Sequence, residues 1–491
     1  MKNISYLDMI KELIPEPEFL KFQKCYNNPI KKSVKIISHR WFNNDVDIYN
    51  MVKSTLSQER DLYETAFSYK WKKYNDVLFA TRKENLKPSS LWSHYLHQAW
   101  LIYVQEMAAS LSVQMLWINP WDIVLDMCAA PWWKSVQIAD KLTDWFLISN
   151  EIDWWRKRAL ESNLHRCWIY NSWIMQEDWC IIWDKLPETF DKVLVDAPCS
   201  WEWMQYKSDK KVWQWNEKKS RELSRLQTKL LVSWLKALRV WGELVYSTCT
   251  TNVLENEYVI SEALRQYWNS IELLEAPLDE KSSGITNWRW EEVLSSENAN
   301  KVARLWPHIH ETWWFFIAKF RKLNYIWDTY SKEERVNNEK AVSLKKDSNQ
   351  FLDSEIWNKL AEWWIEKDDK VSFFISDYTV NAVPNTPLIH EIEHNMPKIN
   401  LWLPIFKIVK DSKNNSNKLI PLNWISQTFW QSATKNVVNI DDNQLKDVMD
   451  KKDLIDERLQ DYNNKYVILL RNWVWVWLVS VQNNVWKNKC F

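Results

Sequence analysis

Glycine is nearly absent from this chain, whose 491 residues include only 2 Gly but 38 Trp. Globular proteins contain roughly 7% glycine, which would be about 34 residues at this length. The 2 Gly and 38 Trp together make 40 residues. That sum is close to the glycine count of an ordinary protein of this length plus a few tryptophans. Many tryptophans also stand beside prolines, in turns and at helix ends, where glycine is expected. We therefore predict that most are glycine codons translated as tryptophan, as happens where UGA encodes glycine; the alternative is a truly tryptophan-rich protein.

Paired cysteines, net charge and long apolar runs are also missing. The 7 Cys are scattered without a Cys-x-x-Cys pair, which argues against a disulfide framework or a zinc site and fits a reducing cytoplasm. The formal net charge is +0, so nucleic-acid binding would use local basic patches. The first residues lack an apolar signal core, and no run could span a membrane once tryptophan is read as glycine. We expect a cytoplasmic protein without metal or membrane contacts.

The pattern of elements predicts three folded parts and a linker. Residues 1–90 are expected to form a small α+β unit, and residues 91–322 alternate strands with helices, which is typical of an α/β domain. Residues 323–355 are rich in Lys, Glu, Asn and Asp and are expected to be a linker. Residues 356–491 are expected to form a β-rich module. The expected strands of the α/β domain are 123–127, 146–150, 172–176, 190–196, 243–247 and 314–320, and its expected helices are 94–115, 217–238 and 256–267.

The stretch Asp122–Lys134 reads as a buried strand, a tight turn and the start of a helix. Such a corner binds nucleotides, because free backbone N–H groups at the helix start face the ligand. The turn needs small residues, yet Trp132 and Trp133 stand there. Acids follow the ends of the predicted strands, and four of them in register favour an adenosine-type cofactor. These acids are Asp126, Glu151, Asp178 and Asp196.

Two cysteines follow neighbouring strands. Cys199 lies in Asp-Ala-Pro-Cys-Ser after the strand 190–196, and Cys249 lies in Tyr-Ser-Thr-Cys-Thr after the strand 243–247. A single cysteine is more often an inert buried residue. Two cysteines beside an acid at one sheet edge favour a chemical role.

These motifs, with Asp-Met-Cys-Ala-Ala-Pro-Trp-Trp-Lys read with glycine at the tryptophans, resemble the RNA cytosine-5 methyltransferases of the Nol/Nop/Sun family. The resemblance covers about residues 1–322 and implies a Rossmann-like class I methyltransferase domain. The C-terminal end looks like the PUA-like RNA-binding tail of RsmF-type enzymes. Trp306 is predicted to be a true tryptophan, whereas Trp313 and Trp314 match glycines of the family.

The resemblance also implies roles for individual residues. Cys249 would be the nucleophile that adds to carbon 6 of cytosine, Cys199 would assist product release, and Asp196 would bind the cytosine edge near the methyl group of S-adenosylmethionine. Glu151 would hold the ribose hydroxyls of this cofactor and Asp178 its adenine amino group. The residues expected to wrap its methionine and ribose part are Cys128, Ala129, Ala130, Pro131, Trp132, Trp133 and Lys134.

The substrate implied by the resemblance is RNA, foremost 16S ribosomal RNA or a small-subunit particle, with transfer RNA as the alternative. The target base must leave any helix, because its ring is attacked from the face. Six basic residues between the cysteine motifs could line an RNA path, although a solvated helix face explains each one alone. They are Lys207, Lys210, Lys211, Lys218, Lys219 and Arg221. If the motif tryptophans are real, a non-catalytic RNA-binding relative is expected instead. We expect a monomer.

Overall fold

The computed structural model describes residues 4–326 and 353–487 with gaps, the longest being 38–47, 83–89, 201–213, 385–402, 411–416 and 423–434. Its centre is an eight-stranded sheet. The strands are β1 (Val124–Asp126), β2 (Leu147–Asn150), β3 (Ser172–Met175), β4 (Phe190–Asp196), β5 (Leu238–Thr248), β6 (Ile271–Leu274), β7 (Ala303–Leu305) and β8 (Phe315–Lys322).

The first five strands run parallel in the order β3-β2-β1-β4-β5. Strand β8 pairs antiparallel with β5, and β6 and β7 pair with β8. The strand order reverses between β1 and β4, and such a switch point opens a crevice at the carboxyl ends of the strands. The predicted strands 123–127, 172–176 and 190–196 correspond to β1, β3 and β4. This is the Rossmann-like arrangement that the resemblance implied.

Helices cover both faces of the sheet, because successive side chains of a buried strand point to opposite faces. On β1, Val124 joins the apolar cluster under one set of helices and Leu125 joins the cluster under the other. The first set is α1 (Met107–Met115), α2 (Trp133–Ala139) and α3 (Trp154–Arg166), and the second is α4 (Glu217–Ala237) and α5 (Glu257–Tyr267). Two short helices follow, Ser296–Lys301 and Pro307–His310.

The helix predicted over residues 94–115 is wrong in its middle. Helix Tyr95–Gln98 ends before a strand, Ile102–Gln105, and α1 begins only at Met107. The strand pairs with Ser33–Ile36, so its apolar residues complete a sheet that begins before residue 90. That antiparallel sheet has the order Arg60–Glu64, Val77–Arg82, Ser33–Ile36 and Ile102–Gln105. The other early elements are helices Tyr6–Leu13, Glu16–Tyr26 and Ile48–Glu59 and strands Ile4–Ser5, Ser68–Tyr69 and Lys72–Lys73.

Two further sheets follow the central one. The first has strands Val371–Ser376, Thr379–Pro384, Leu403–Lys410 and Asn417–Pro421, and the second has Val437–Asn439, Tyr466–Arg471, Val474–Gln482, Val485–Lys487 and Leu454–Ile455. Helices Asp353–Leu360 and Asp442–Met449 and the 3-10 turns Ala361–Trp363 and Glu457–Tyr462 accompany them. The expected β-rich character is present, while the PUA-like assignment stays a prediction. Within the described parts, no helix combines the length and apolarity needed to cross a membrane.

Three tryptophans have left-handed backbone conformations. The φ angles are 50° at Trp117, 70° at Trp241 and 72° at Trp290. A Cβ atom makes this region costly, so glycine is the residue that usually occupies it. Trp241 and Trp290 are 69% and 103% exposed, so little packing compensates for the strain there.

Candidate active site

The carboxyl ends of β1, β2, β4 and β5 bring the predicted site residues to one edge of the sheet. Asp126 ends β1, and Glu151 directly follows β2. Asp196 ends β4, and Cys249 directly follows β5. The parallel pairing of these strands explains the convergence, since parallel strands end at a common edge.

Asp126 is fully buried below this edge. Its Oδ2 accepts a hydrogen bond from the hydroxyl of Ser135 at 2.6 Å, in the first turn of α2. Burial raises the pKa of Asp126 from 3.8 to about 7, and the carboxylates of Asp196 and Glu151 add to the rise, while Ser135 and Lys134 oppose it. Its Oδ1 accepts no hydrogen bond from the described residues. This atom is therefore free to accept a hydrogen bond from a ligand.

Replacing Asp126 with asparagine is expected to stabilise the unliganded protein at alkaline pH. The native carboxyl keeps its proton up to about pH 7, whereas the unfolded chain loses it near the ordinary pKa of 3.8. Unfolding then releases a proton, so the free energy of unfolding of the wild type falls as pH rises through this window. Asparagine removes that fall, and we expect a gain of about 1–3 kcal/mol at alkaline pH and almost none at acid pH.

Urea unfolding at about pH 4 and about pH 8 measures this difference. Asp178→Asn is the matched control, because Asp178 is exposed, and its replacement should change the free energy of unfolding by less than about 0.5 kcal/mol. A stability difference between wild type and Asp126→Asn that is equal at both pH values would contradict the raised pKa.

Glu151 lies against the turn that follows β1. Its Oε1 accepts the backbone N–H of Asp153 at 3.0 Å, and the guanidinium of Arg156 lies 3.6 Å from Oε2. Burial raises the pKa of Glu151, and the hydrogen bonds from Asp153 and Ala130 and the charge of Arg156 oppose that rise. Among the described residues, none donates a hydrogen bond to Oε2. A buried acceptor without a donor suits a ligand hydroxyl.

The turn itself is tied to both neighbouring elements. The N–H of Ala129 donates to the carbonyl of Asn150 at 3.0 Å, and Arg156 donates to the carbonyl of Ala130 at 2.7 Å. Cys128 is buried, and burial raises the pKa of its thiol. Such a thiol stays protonated at neutral pH, so Cys128 acts through its shape rather than as a nucleophile.

The predicted cofactor residues differ in their exposure. Asp178 follows β3 and is exposed, with a carboxylate oxygen that accepts the backbone N–H of Cys180 at 2.9 Å. Trp133 begins α2 and is half-buried. Pro131 and Trp132 lie outside the described residues, as do Lys207, Lys210 and Lys211 of the expected RNA path.

Lys134 and Asp196 form an ion pair at the mouth of the crevice. Lys134 Nζ lies 2.5 Å from Asp196 Oδ2, and the Lys134 side chain is buried. The hydroxyl of Ser247, in β5, donates to Asp196 Oδ1 at 3.3 Å. The carboxylate therefore has a fixed orientation while its side chain remains 27% exposed, as a group that contacts a substrate requires.

The thiols of Cys199 and Cys249 are in contact, with their sulfur atoms 3.1 Å apart. Both residues are half-buried. The indole N–H of Trp314 donates to the Cys249 carbonyl at 3.0 Å, and the buried Trp314 ring lies 5.7 Å from that of Tyr6. The structure thus brings together the two cysteines that the sequence places at neighbouring strand ends.

Two glutamates at this edge, Glu255, which is buried, and Glu106, which is half-buried, were not predicted from the sequence. Glu255 lies between the two cysteine loops, and its carboxylate accepts hydrogen bonds from the Ser200 N–H and the Asn252 amide. Glu106 precedes α1 and accepts the Thr312 hydroxyl at 2.6 Å and the Trp313 N–H at 3.1 Å. Burial raises the pKa of each. Neither acid directly follows a predicted strand, so the sequence carries no signal of such contacts.

The class I methyltransferase fold defines a class of enzyme, and comparison with known proteins finds relatives of that class. Residues 113–321 match the family model described as "16S rRNA methyltransferase RsmB/F". Ribosomal RNA small subunit methyltransferase F of Photobacterium profundum is 30% identical over 322 residues, covering 65% of this chain and 63% of the relative. The protein of the same name from Shigella dysenteriae is 28% identical, and the match covers 66% of this chain and 64% of the relative. The chain thus spans less than two thirds of these relatives' length.

Solved structures agree with the methyltransferase fold. A methyltransferase homolog from Pyrococcus horikoshii superposes with a TM-score of 0.54 at 28% identity, covering 64% of this chain and 94% of its own. NSun6 from the same organism, solved with SFG, has a TM-score of 0.52 at 20% identity, covering 65% and 98%. Residues 113–321 are thus similar to the RsmB/F methyltransferases, which supports the RNA cytosine-5 methyltransferase resemblance that the motifs predicted.

Proposed function

We propose that the protein methylates carbon 5 of a cytosine in RNA, with S-adenosylmethionine as methyl donor and small-subunit ribosomal RNA as substrate. The observation that carries the proposal is the 3.1 Å contact between the sulfurs of Cys199 and Cys249, beside the ion pair of Lys134 and Asp196. At this distance one thiol can form a covalent bond to the substrate and the other can assist the breaking of that bond. The names of the relatives favour ribosomal RNA over transfer RNA.

The crevice fits the proposed donor. Glu151 Oε2 and Asp126 Oδ1 are buried acceptors that the described residues leave without donors, and hydroxyl and ammonium groups of a ligand can satisfy them. Glu151 would hold the ribose hydroxyls, and residues 128–134 would surround the methionine part. Asp178 is placed after the next strand, where it would meet the adenine. S-adenosylmethionine bound there would supply an activated methyl group.

The residues at the rim would divide the work as follows. Cys249 adds its sulfur to carbon 6 of cytosine while its thiol proton passes to nitrogen 3 of the ring, and the electron pair of the opened ring double bond makes carbon 5 nucleophilic. Asp196 holds the polar edge of the base, and Lys134 keeps the Asp196 carboxylate in place. After methylation, carbon 5 loses its proton to a base, and the bond between carbon 6 and Cys249 breaks. Cys199 is near enough to Cys249 to assist this release.

A transfer assay tests the function directly. Methyl-labelled S-adenosylmethionine is incubated with the protein and with small-subunit ribosomal RNA, assembled small subunits or transfer RNA, and the RNA is digested for mass spectrometry. We expect 5-methylcytidine in the ribosomal samples. Label in transfer RNA alone would favour the alternative substrate. RNA binding without transfer to any sample would favour a non-catalytic RNA-binding protein.

We also propose that the native protein carries glycine at the motif tryptophans, including Trp132 and Trp133. The left-handed φ angles at Trp241 and Trp290 support this proposal. Trp314 differs, because its ring is buried and its indole N–H is hydrogen-bonded, so nothing in its geometry favours glycine.

Peptide mass spectrometry of the protein from its native source, across residues 126–134, separates the two sequences. We expect glycine masses at positions 132 and 133, because the turn before α2 must leave its backbone open to a ligand. Tryptophan masses at both positions would refute the recoding and would leave the RNA-binding alternative as the better explanation.

A further inference from the structure

We propose that Glu255 is a positioning residue that sets the distance between the thiols of Cys199 and Cys249. The role deepens the proposed function and rests on it, since thiol spacing matters for a reaction that uses both sulfurs. Glu255 is fully buried. Its carboxylate accepts hydrogen bonds from Ser200, Gln227 and Asn252 rather than from either cysteine. It acts through the backbone and side chains on either side of each cysteine.

The Oε2 atom of Glu255 holds the loop that carries Cys199. It accepts the backbone N–H of Ser200 at 2.9 Å and the side-chain amide of Gln227 at 3.1 Å. The same Gln227 nitrogen donates to the carbonyl of Pro198 at 2.8 Å. The residues directly before and after Cys199 are therefore both tied to one carboxylate, Pro198 through Gln227 and Ser200 directly.

The Oε1 atom holds the loop that carries Cys249. It accepts the side-chain amide of Asn252 at 3.1 Å, and the backbone N–H of Asn252 donates to the Thr250 hydroxyl at 3.0 Å. The hydroxyl of Tyr246, in β5, donates to the backbone carbonyl of Glu255 at 2.7 Å. Strand β5 is thus bonded to the backbone of Glu255. Thr250, the residue after Cys249, is connected through Asn252 to the Glu255 carboxylate.

A carboxylate suits this position better than an amide. The donors named above are neutral N–H groups that converge on both oxygens, and a carboxylate has only acceptor atoms to offer them. A glutamine side chain would keep one acceptor and place an NH₂ group against donors of one loop. Burial disfavours the charged form of Glu255, so an acid at this position costs stability. Its presence fits a role in setting the distance between the two thiols.

Oxidation by diamide measures the spacing without RNA or cofactor. The two thiols lose their hydrogens to diamide, which becomes a hydrazine, and a Cys199–Cys249 disulfide forms, whose geometry tolerates little displacement. We expect Glu255→Gln to slow this disulfide about tenfold relative to the wild type, as followed by peptide mass spectrometry. Glu262→Gln is the matched control in α5, the helix that follows Glu255, because Glu262 pairs with the exposed Arg265, and it should oxidise at the wild-type rate.

Methyl transfer supplies the second measurement. Glu255→Gln should lower kcat about tenfold or more with little change in KM for S-adenosylmethionine, whereas Glu255→Asp should restore part of kcat. If Glu255→Gln fails to fold, Gln227→Leu replaces it, because it releases only the Cys199 loop and should also slow the disulfide. Wild-type disulfide rates in the folded variants would overturn the proposal. A wild type that forms the disulfide quickly but methylates no RNA would overturn the proposed function instead.

Discussion

Replacing Cys249 with alanine should abolish methyl transfer, whereas replacing Cys199 with alanine should leave a covalent protein–RNA adduct that does not resolve. The first variant lacks the sulfur that bonds to carbon 6, so we expect a loss of about a thousandfold or more. The second keeps that sulfur but loses the neighbouring thiol, 3.1 Å away, that assists release. Denaturing electrophoresis with labelled RNA measures the adduct, and methyl incorporation measures the turnover.

Cys25→Ala is the control for both variants, since Cys25 lies in the early helix Glu16–Tyr26, outside the eight-stranded sheet whose edge carries the site. It should methylate as the wild type does and leave no lasting adduct. An adduct that accumulates in Cys249→Ala and not in Cys199→Ala would reverse the two roles. If neither variant forms an adduct while the wild type methylates RNA, the covalent mechanism is wrong.

Replacing Trp132 and Trp133 together with glycine should strengthen the binding of S-adenosylmethionine. Trp133 opens α2, where free backbone N–H groups would face a ligand, and its ring lies 5.9 Å from Lys134 Nζ. Removing the Trp133 indole frees space at the helix start, so we expect the affinity of the double variant to rise about a hundredfold or more. Isothermal titration calorimetry on both forms measures the change.

Trp290→Gly is the matched control, because this exposed residue also has a left-handed φ but lies in a separate two-stranded turn. It should leave the affinity unchanged while relieving local strain. No binding heat from the glycine form would contradict the enzyme and leave a protein that binds RNA alone.

Much of the central domain was predictable from the pattern of residues. Short apolar runs that end in acids predicted β1, β3 and β4, and the motif cysteines predicted a site at one edge. Strand Ile102–Gln105 was missed, because Ile102, Tyr103 and Val104 are apolar on successive positions and fit a buried helix as well as a buried strand. Strand β6 was missed as well, since a four-residue run has no period of its own.

Local sequence was sufficient to place Cys199, Cys249 and Asp196 at one edge of the sheet, because each stands in a motif next to a strand whose end fixes its place. Contacts between residues that are distant in the sequence could not be predicted from it. Glu255 meets Ser200 and Gln227 only after α4, α5 and the parallel strands have packed, and such a contact has no local periodicity. The position of each cysteine at a strand end therefore follows from the local sequence, while the 3.1 Å approach of the two thiols arises from long-range packing around a buried carboxylate.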